Sequence, residues 1–194
     1  WLDYARSFTD ARNRLVFSYI YEVPVGKGRK FLNTGGAANA VLGGWQVSGI
    51  TSFQSGFPFT VTGSGSYSNT GSATPRPDRT CFGNGPKTLA EWFDTSCFTT
   101  APLAANLLAG IYQFGNSGRN ILSGPGLNDF DFAAIKRFSL GERAKLEFRA
   151  ELYNMFDTPN FAYPHTNVSA AHFGVINNTS GIARQIQFGL KLSF

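Results

Sequence analysis

The sequence predicts an all-β fold: an antiparallel transmembrane β-barrel segment of about five long strands, the C-terminal part of a larger barrel, with long loops on one side. Three observations carry this. Ile186, Phe188, Leu190, Leu192 and Phe194 alternate with Gln185, Gln187, Gly189, Lys191 and Ser193 without a break, and a period of two is the repeat of a strand with two unlike faces. The run from Arg184 to Phe194 exceeds an ordinary strand of about 5 to 6 residues and matches the roughly 9 to 11 that a tilted strand needs to cross a bilayer. Composition agrees: aromatics make up 15%, charged residues 15%, and glycine numbers 22, a mix that favours sheet. No apolar run approaches the roughly 18 residues of a helical span.

The elements follow in order. Residues 1–11 carry no period and read as the end of a loop. From Arg14, residues Leu15, Phe17, Tyr19, Tyr21 and Val23 share one parity up to Pro24. Gly26, Gly28, Gly35 and Gly36 mark a turn region in which Ala37 to Leu42 forms one short helical turn; its length, for a turn, has no evident reason in the sequence. A second strand runs from Gly44 to about Val61, with Ile50 as the one conspicuous apolar residue on its polar parity and a bend near Pro58. Residues 62–128 lose the pattern and are rich in Gly, Ser, Thr, Asn and Pro. A connection this long is expected in an outer-membrane barrel and out of place in an ordinary compact domain.

Pattern returns at Asp129. Phe130, Phe132, Ala134, Phe138 and Leu140 share a face, with Ile135 and Lys136 out of place; Lys136 is expected to extend its ammonium to the membrane interface. Gly141-Glu142 makes a tight turn, and Ala144, Leu146, Phe148, Ala150 and Leu152 then alternate with Arg143, Lys145, Glu147, Arg149 and Glu151. A Lys or Arg at the bilayer midplane costs about 2 to 4 kcal/mol. The charged face therefore meets water or a lumen, where opposite charges pair across strands, and the Ala, Leu and Phe face meets lipid. A loop from Asn154 to Ala183 precedes the terminal strand. Long connections thus alternate with short ones, as outer-membrane barrels require, with the C-terminus periplasmic and the long loops extracellular.

The net charge of +5 comes from dispersed Lys and Arg; the one basic cluster is Lys27 to Lys30 (KGRK). Nucleic-acid binding is not expected from such a distribution. In an oxidising compartment Cys81 and Cys97 pair, which stabilises by roughly 3 kcal/mol in the chain-entropy model. Zinc is not expected, because a site needs about four ligands and His165 and His172 lie far from the cysteines in sequence. The chain opens on Trp1 without a signal segment and reads as a piece of a longer precursor.

Three stretches carry a family resemblance: DARNRLVFSYIYEVPVGKGRKFL at 10–32, LGGWQVSGITSFQSGFPFTV at 42–61 and FGNSGRNILSGPGLNDFDFAAIKRFSLGERAKLEFRAELYNMFDTPNF at 114–161. With them the chain resembles the C-terminal end of TonB-dependent outer-membrane receptors, most of all the acidobacterial-type members that carry a carboxypeptidase-regulatory-like domain. The resemblance covers most of the chain, excepting residues 63–89. It implies a 22-stranded barrel with a plug in its lumen, import of a siderophore, cobalamin or oligosaccharide, and energy relayed by TonB. The terminal RQIQFGLKLSF is similar to the β-signal read by the barrel-assembly machinery, with Ile186, Phe188, Leu190, Leu192 and Phe194 as its apolar residues. The expected partners are outer-membrane lipid, the rest of the barrel and its plug, the TonB complex and the assembly machinery.

No catalytic motif is present: the chain has no Gly-x-Ser-x-Gly elbow, H-E-x-x-H or Walker sequence. Neither enzymatic activity nor a cofactor is expected. Tyr67, Trp92, Phe93, Tyr112 and Phe114 can stack on a sugar or chelator, although packing of the loop on itself is the simpler reading. His165 and His172 can meet a metal chelate, against the plainer reading of surface histidines. Two other function classes stay open. One is a structural or adhesive outer-membrane protein with the same barrel; the other is a soluble β-sandwich binding module, which calls for shorter strands.

Overall fold

A computed structural model describes residues 2–33, 35–71, 74–141 and 143–194. The elements in chain order are β1 (Arg14–Glu22), α1 (Ala37–Leu42), β2 (Trp45–Gln54), β3 (Pro58–Phe59), β4 (Asp78–Arg79), a 3-10 turn (Thr95–Cys97), β5 (Phe98–Thr99), α2 (Ala101–Leu108), β6 (Leu122–Ser123), β7 (Leu127–Leu140), β8 (Ala144–Tyr153) and β9 (Gln185–Ser193). The chain divides into two compact bodies. One comprises Arg14–Phe53, Asn128–Pro159 and Gly181–Phe194; the other comprises Trp1–Asn13, Gln54–Leu127 and Asn160–Ser180.

The first body is a five-stranded sheet in the order β1-β2-β7-β8-β9. Its long strands fall where the period of two places them. β7 and β8 pair antiparallel from Phe132↔Leu152 to Leu140↔Ala144, and β8 and β9 from Lys145↔Ser193 to Tyr153↔Gln185. Since partners in a register share a face, Phe138, Leu146 and Leu192 lie in one row, and Lys136, Phe148 and Leu190 in the next. Aromatic contacts extend that face across the other strands: Phe17 meets Phe53 at 6.3 Å, Phe53 meets Phe130 at 5.4 Å, and Trp45 meets Phe148 edge-on at 6.3 Å. All of β1 and β9 is exposed, with Phe188 at 70% and Leu190 at 72%. The sheet has one apolar face and buries little of it within the chain.

The tight turn expected at Gly141-Glu142 involves Glu142, which lies outside the described residues; Gly141 takes a φ of 84° just beyond Leu140. The segment between β1 and β2 has a structural reason for its length. Val25 and Phe31 form a bridge, Asn39 Oδ1 accepts from the Lys27 amide at 2.7 Å, and the α1 end accepts from Lys136. Lys136 Nζ donates to Val41 O at 2.8 Å and Gly43 O at 2.6 Å and lies over the Trp45 and Phe138 rings. The structure adds to the sequence expectation for Lys136 the partners that hold its ammonium. Its ammonium is buried under backbone carbonyls supplied by α1, because a charge on an apolar face is held most economically by fixed acceptors close by.

The second body corrects two expectations. β2 ends at Gln54 and does not continue to Val61. The Ser55 amide turns to Asn13 O at 2.9 Å, Gly56 packs against the Gly124 and Pro125 backbone where no side chain fits, and Pro58–Phe59 pairs with Leu122–Ser123. Residues 62–128 also form more than a patternless loop. Phe59, Val61, Phe93, Cys97, Phe98 and Leu122 make a buried cluster, flanked by Trp92, Ile121, Val168 and Phe173. Phe93 is fully buried, edge-on to Phe98 at 5.8 Å and to Phe173 at 5.1 Å. Such aromatic pairs are worth about 0.5 to 1.5 kcal/mol beyond burial. Cys81 and Cys97 are joined by a disulfide, with Cα atoms 5.0 Å apart.

Candidate functional site

The polar face of the sheet carries an interlocked ladder of charge. Arg137, Glu147 and Lys191 form one row across β7, β8 and β9. Arg137 Nε bonds Glu147 Oε2 at 2.9 Å, while Arg149 forks to Glu147 at 3.4 Å and Glu151 at 3.2 Å. Arg137 also reaches Gln46 Oε1 on β2 at 3.2 Å. Gly189 stands opposite Arg149 and leaves room for its guanidinium to lie along the strand. Alternation of sign in neighbouring rows is what lets a face this charged stand without mutual repulsion. Lys145, Glu147, Arg149 and Glu151 thus share one face, whereas Arg143 sits in the turn ahead of β8 and is not part of the ladder.

Beside the ladder, the same body holds a depression of about 610 Å³ whose lining includes Ser18, Ile20, Ser48, Ile50, Ala133 and Tyr153. Ile20 and Ile50 supply an apolar floor within a polar face. Asp131 and Glu151 stand at its rim, where Asp131 Oδ1 accepts the Asn154 amide at 3.1 Å and Glu151 Oε2 accepts the Tyr153 hydroxyl at 3.4 Å. The arrangement accepts an apolar group on its floor and hydrogen-bond donors at its carboxylates. Sequence reasoning did not find this depression. The available signal was Ile20 and Ile50, apolar residues on the polar parity of two adjacent strands.

Asn154 closes this end of the sheet. It is buried with a φ of 46°, a left-handed conformation that Asn tolerates better than most residues. Its Nδ2 donates to Thr158 O at 3.1 Å and Ile182 O at 3.0 Å, and its Oδ1 accepts the Thr158 amide at 2.9 Å.

The loop candidates fall into separate groups. Trp92 and Phe93 pack the second body on itself: Phe93 is in the core, and Trp92 Nε1 donates to Ser123 O at 2.9 Å with Lys87 over its ring. Tyr67 O accepts the Gln113 amide at 3.1 Å, which joins its segment to the one holding Tyr112 and Phe114, both exposed. His165 and His172 come together, ring centroids 6.0 Å apart, with His165 Nε2 bonded to Asn177 Oδ1 at 3.1 Å. Nearby Tyr163 is edge-on to Phe59 at 5.9 Å and half exposed, with partial desolvation raising its phenol from the usual value. Among the described residues, Cys81, Asp94 and Cys97 are the group close enough to share a metal ion, but both sulfurs are committed to the disulfide. In β9 the apolar side chains Ile186, Phe188, Leu190 and Leu192 share the exposed apolar face, and Phe194 lies just beyond the strand.

A sheet of strands 9 to 14 residues long, apolar on one exposed face and charged on the other, defines a class: β proteins that cross a membrane with strands. No helix among the described residues is long and apolar enough to cross one. The family model for the outer membrane beta barrel domain matches residues 1–187, and the chain belongs to that family. It is a β-barrel protein of the bacterial outer membrane, in contact with its lipid. No curated protein and no solved structure matches the chain.

Proposed function

We propose that the chain is the C-terminal part of a TonB-dependent receptor that imports a nutrient of the siderophore, cobalamin or oligosaccharide class across the outer membrane. The observation that carries this reading is the polar face, where a paired charge ladder borders an open depression with an apolar floor. A narrow barrel fills its interior with side chains, whereas a face with room for a guest suits a wide one. The apolar face then meets lipid, the polar face lines the lumen, the disulfide-bonded body is extracellular and the C-terminus is periplasmic. A plug and TonB complete the import machinery, and β9 with Phe194 serves as the assembly signal.

The test is uptake of ferric siderophore, cobalamin and maltooligosaccharide by cells expressing the full-length protein, with TonB active or inactivated. One of the three is expected to accumulate only when TonB is active. Uptake indifferent to TonB, or failure of all three, overturns the import reading in favour of a structural or adhesive barrel.

A further inference from the structure

The segment between β1 and β2 and the end of β7 border an open polar cavity of about 500 Å³, lined among others by Lys27, Arg29, Asn39, Gly43, Lys136 and Arg137. The basic run Lys27 to Lys30, which the import reading leaves without a role, is thereby brought against the end of β7. Of the four cationic side chains at the cavity, Arg29 is paired with Glu22 at 2.7 Å and Arg137 with Glu147 at 2.9 Å. Lys27 and Lys136 have no carboxylate partner among the described residues. Lys136 already donates to the Val41 and Gly43 carbonyls, so Lys27 is the cation whose ammonium is left to meet a ligand, and a polar cavity with an excess of positive charge among the described residues selects an anion.

The surroundings select which anion. Lys136, Trp45 and Phe138 belong to the apolar face of the sheet, and α1 leans on that face through the Trp45 Nε1 bond to Val41 O at 2.9 Å. Val41 and Leu42 are 65% and 53% exposed there. A Trp, exposed aliphatic residues and a cluster of cations at the end of a membrane-crossing sheet are the elements of an interfacial site for an amphiphile. A soluble anion has no use for the apolar part. We propose that this cavity binds the phosphate of an anionic membrane phospholipid, whose acyl chains run along the apolar face beside Trp45. The proposal does not depend on the import reading.

The experiment is native mass spectrometry of the full-length protein purified in detergent, with phosphatidylglycerol or phosphatidylcholine added. Phosphatidylglycerol is expected to be retained preferentially. Lys27→Gln should weaken its retention about fivefold, the effect of one cation at a membrane surface, and Lys27→Gln/Arg29→Gln more. Lys27→Arg should retain it, as should Arg12→Gln, which removes a charge from the other body. Heat-modifiable migration in gels reports that each variant is folded. Equal retention of the two lipids, unchanged retention in the double variant, or displacement of the lipid by millimolar inorganic phosphate would overturn the proposal, the last by showing a free-anion site.

Discussion

The two bodies solve the burial of aromatic residues in opposite ways. The disulfide-bonded body turns Phe59, Phe93, Phe98 and Phe173 inward on one another and excludes water from them. The sheet turns Phe17, Phe148 and Phe188 outward, leaves β1 and β9 exposed along their length, and keeps its ion pairs on the other face. One body carries its own core; the other, in the proposed orientation, uses the membrane as its core. In lipid the aromatic residues of the sheet are therefore solvated and need no protein partner, whereas the same exposure on the second body would be a liability in water.

Substitutions that act on one body only make this contrast measurable. The largest effect is expected from Phe93→Ala, which should cost about 3 to 5 kcal/mol through the cavity it leaves. It should make the disulfide-bonded body protease-sensitive while the sheet keeps its heat-modifiable migration. Loss of the disulfide through Cys97→Ser, worth roughly 3 kcal/mol, should act in the same direction on the same body, read by the same limited proteolysis. Phe148→Arg reverses the pattern: a cation on the apolar face costs about 2 to 4 kcal/mol at mid-bilayer and should reduce assembled protein in the outer membrane. If Phe148→Arg assembles normally, the assignment of that face to lipid fails.

Smaller effects sharpen the picture. Asn154→Ala leaves the carbonyls of Thr158 and Ile182 without their donor, for about 1 to 3 kcal/mol and a lower unfolding midpoint in urea. Glu147→Gln removes the charge shared by Arg137 and Arg149. Exposed pairs are worth about 1 kcal/mol or less, so its effect on the midpoint should be the least of the series.

The sheet was legible in the sequence because strand periodicity is local: alternation from Ala144 to Leu152 and from Ile186 to Phe194 states which residues share a face before any partner is known. α1 was legible at Ala37 to Leu42 for the same reason, between glycines on both sides. The second body was not. Its core draws on Phe59, Phe93, Leu122 and Phe173, which are brought together by a disulfide and backbone bonds between distant segments and follow no period. The end of β2 at Gln54 was hidden likewise. Alternation continues to Val61, and the break comes from the close approach of Gly56 to the Gly124 and Pro125 backbone. At the candidate site, the charge ladder was visible in one strand, but its partners Arg137 and Gln46 needed the register. The role of Lys136 required the carbonyls of Val41 and Gly43, which no pattern of side chains announces.

The short ribbon of β3 and β6 has a kinetic consequence. β2 and β7 are neighbours in the sheet, yet their pairing must wait for residues 55–126 to be spanned. The ribbon joins Phe59 to Leu122, and the Gly124 amide meets Phe57 O at 2.9 Å. Once the ribbon has formed, Gln54 and Leu127 are tethered through a few residues instead of some seventy. Closure entropy grows as the logarithm of loop length, so the shortened tether lowers the cost of starting that strand pair by about 2 kcal/mol. The segment closed by the ribbon then acts as an oversized turn, converting the most distant pairing in the sheet into a nearly local one.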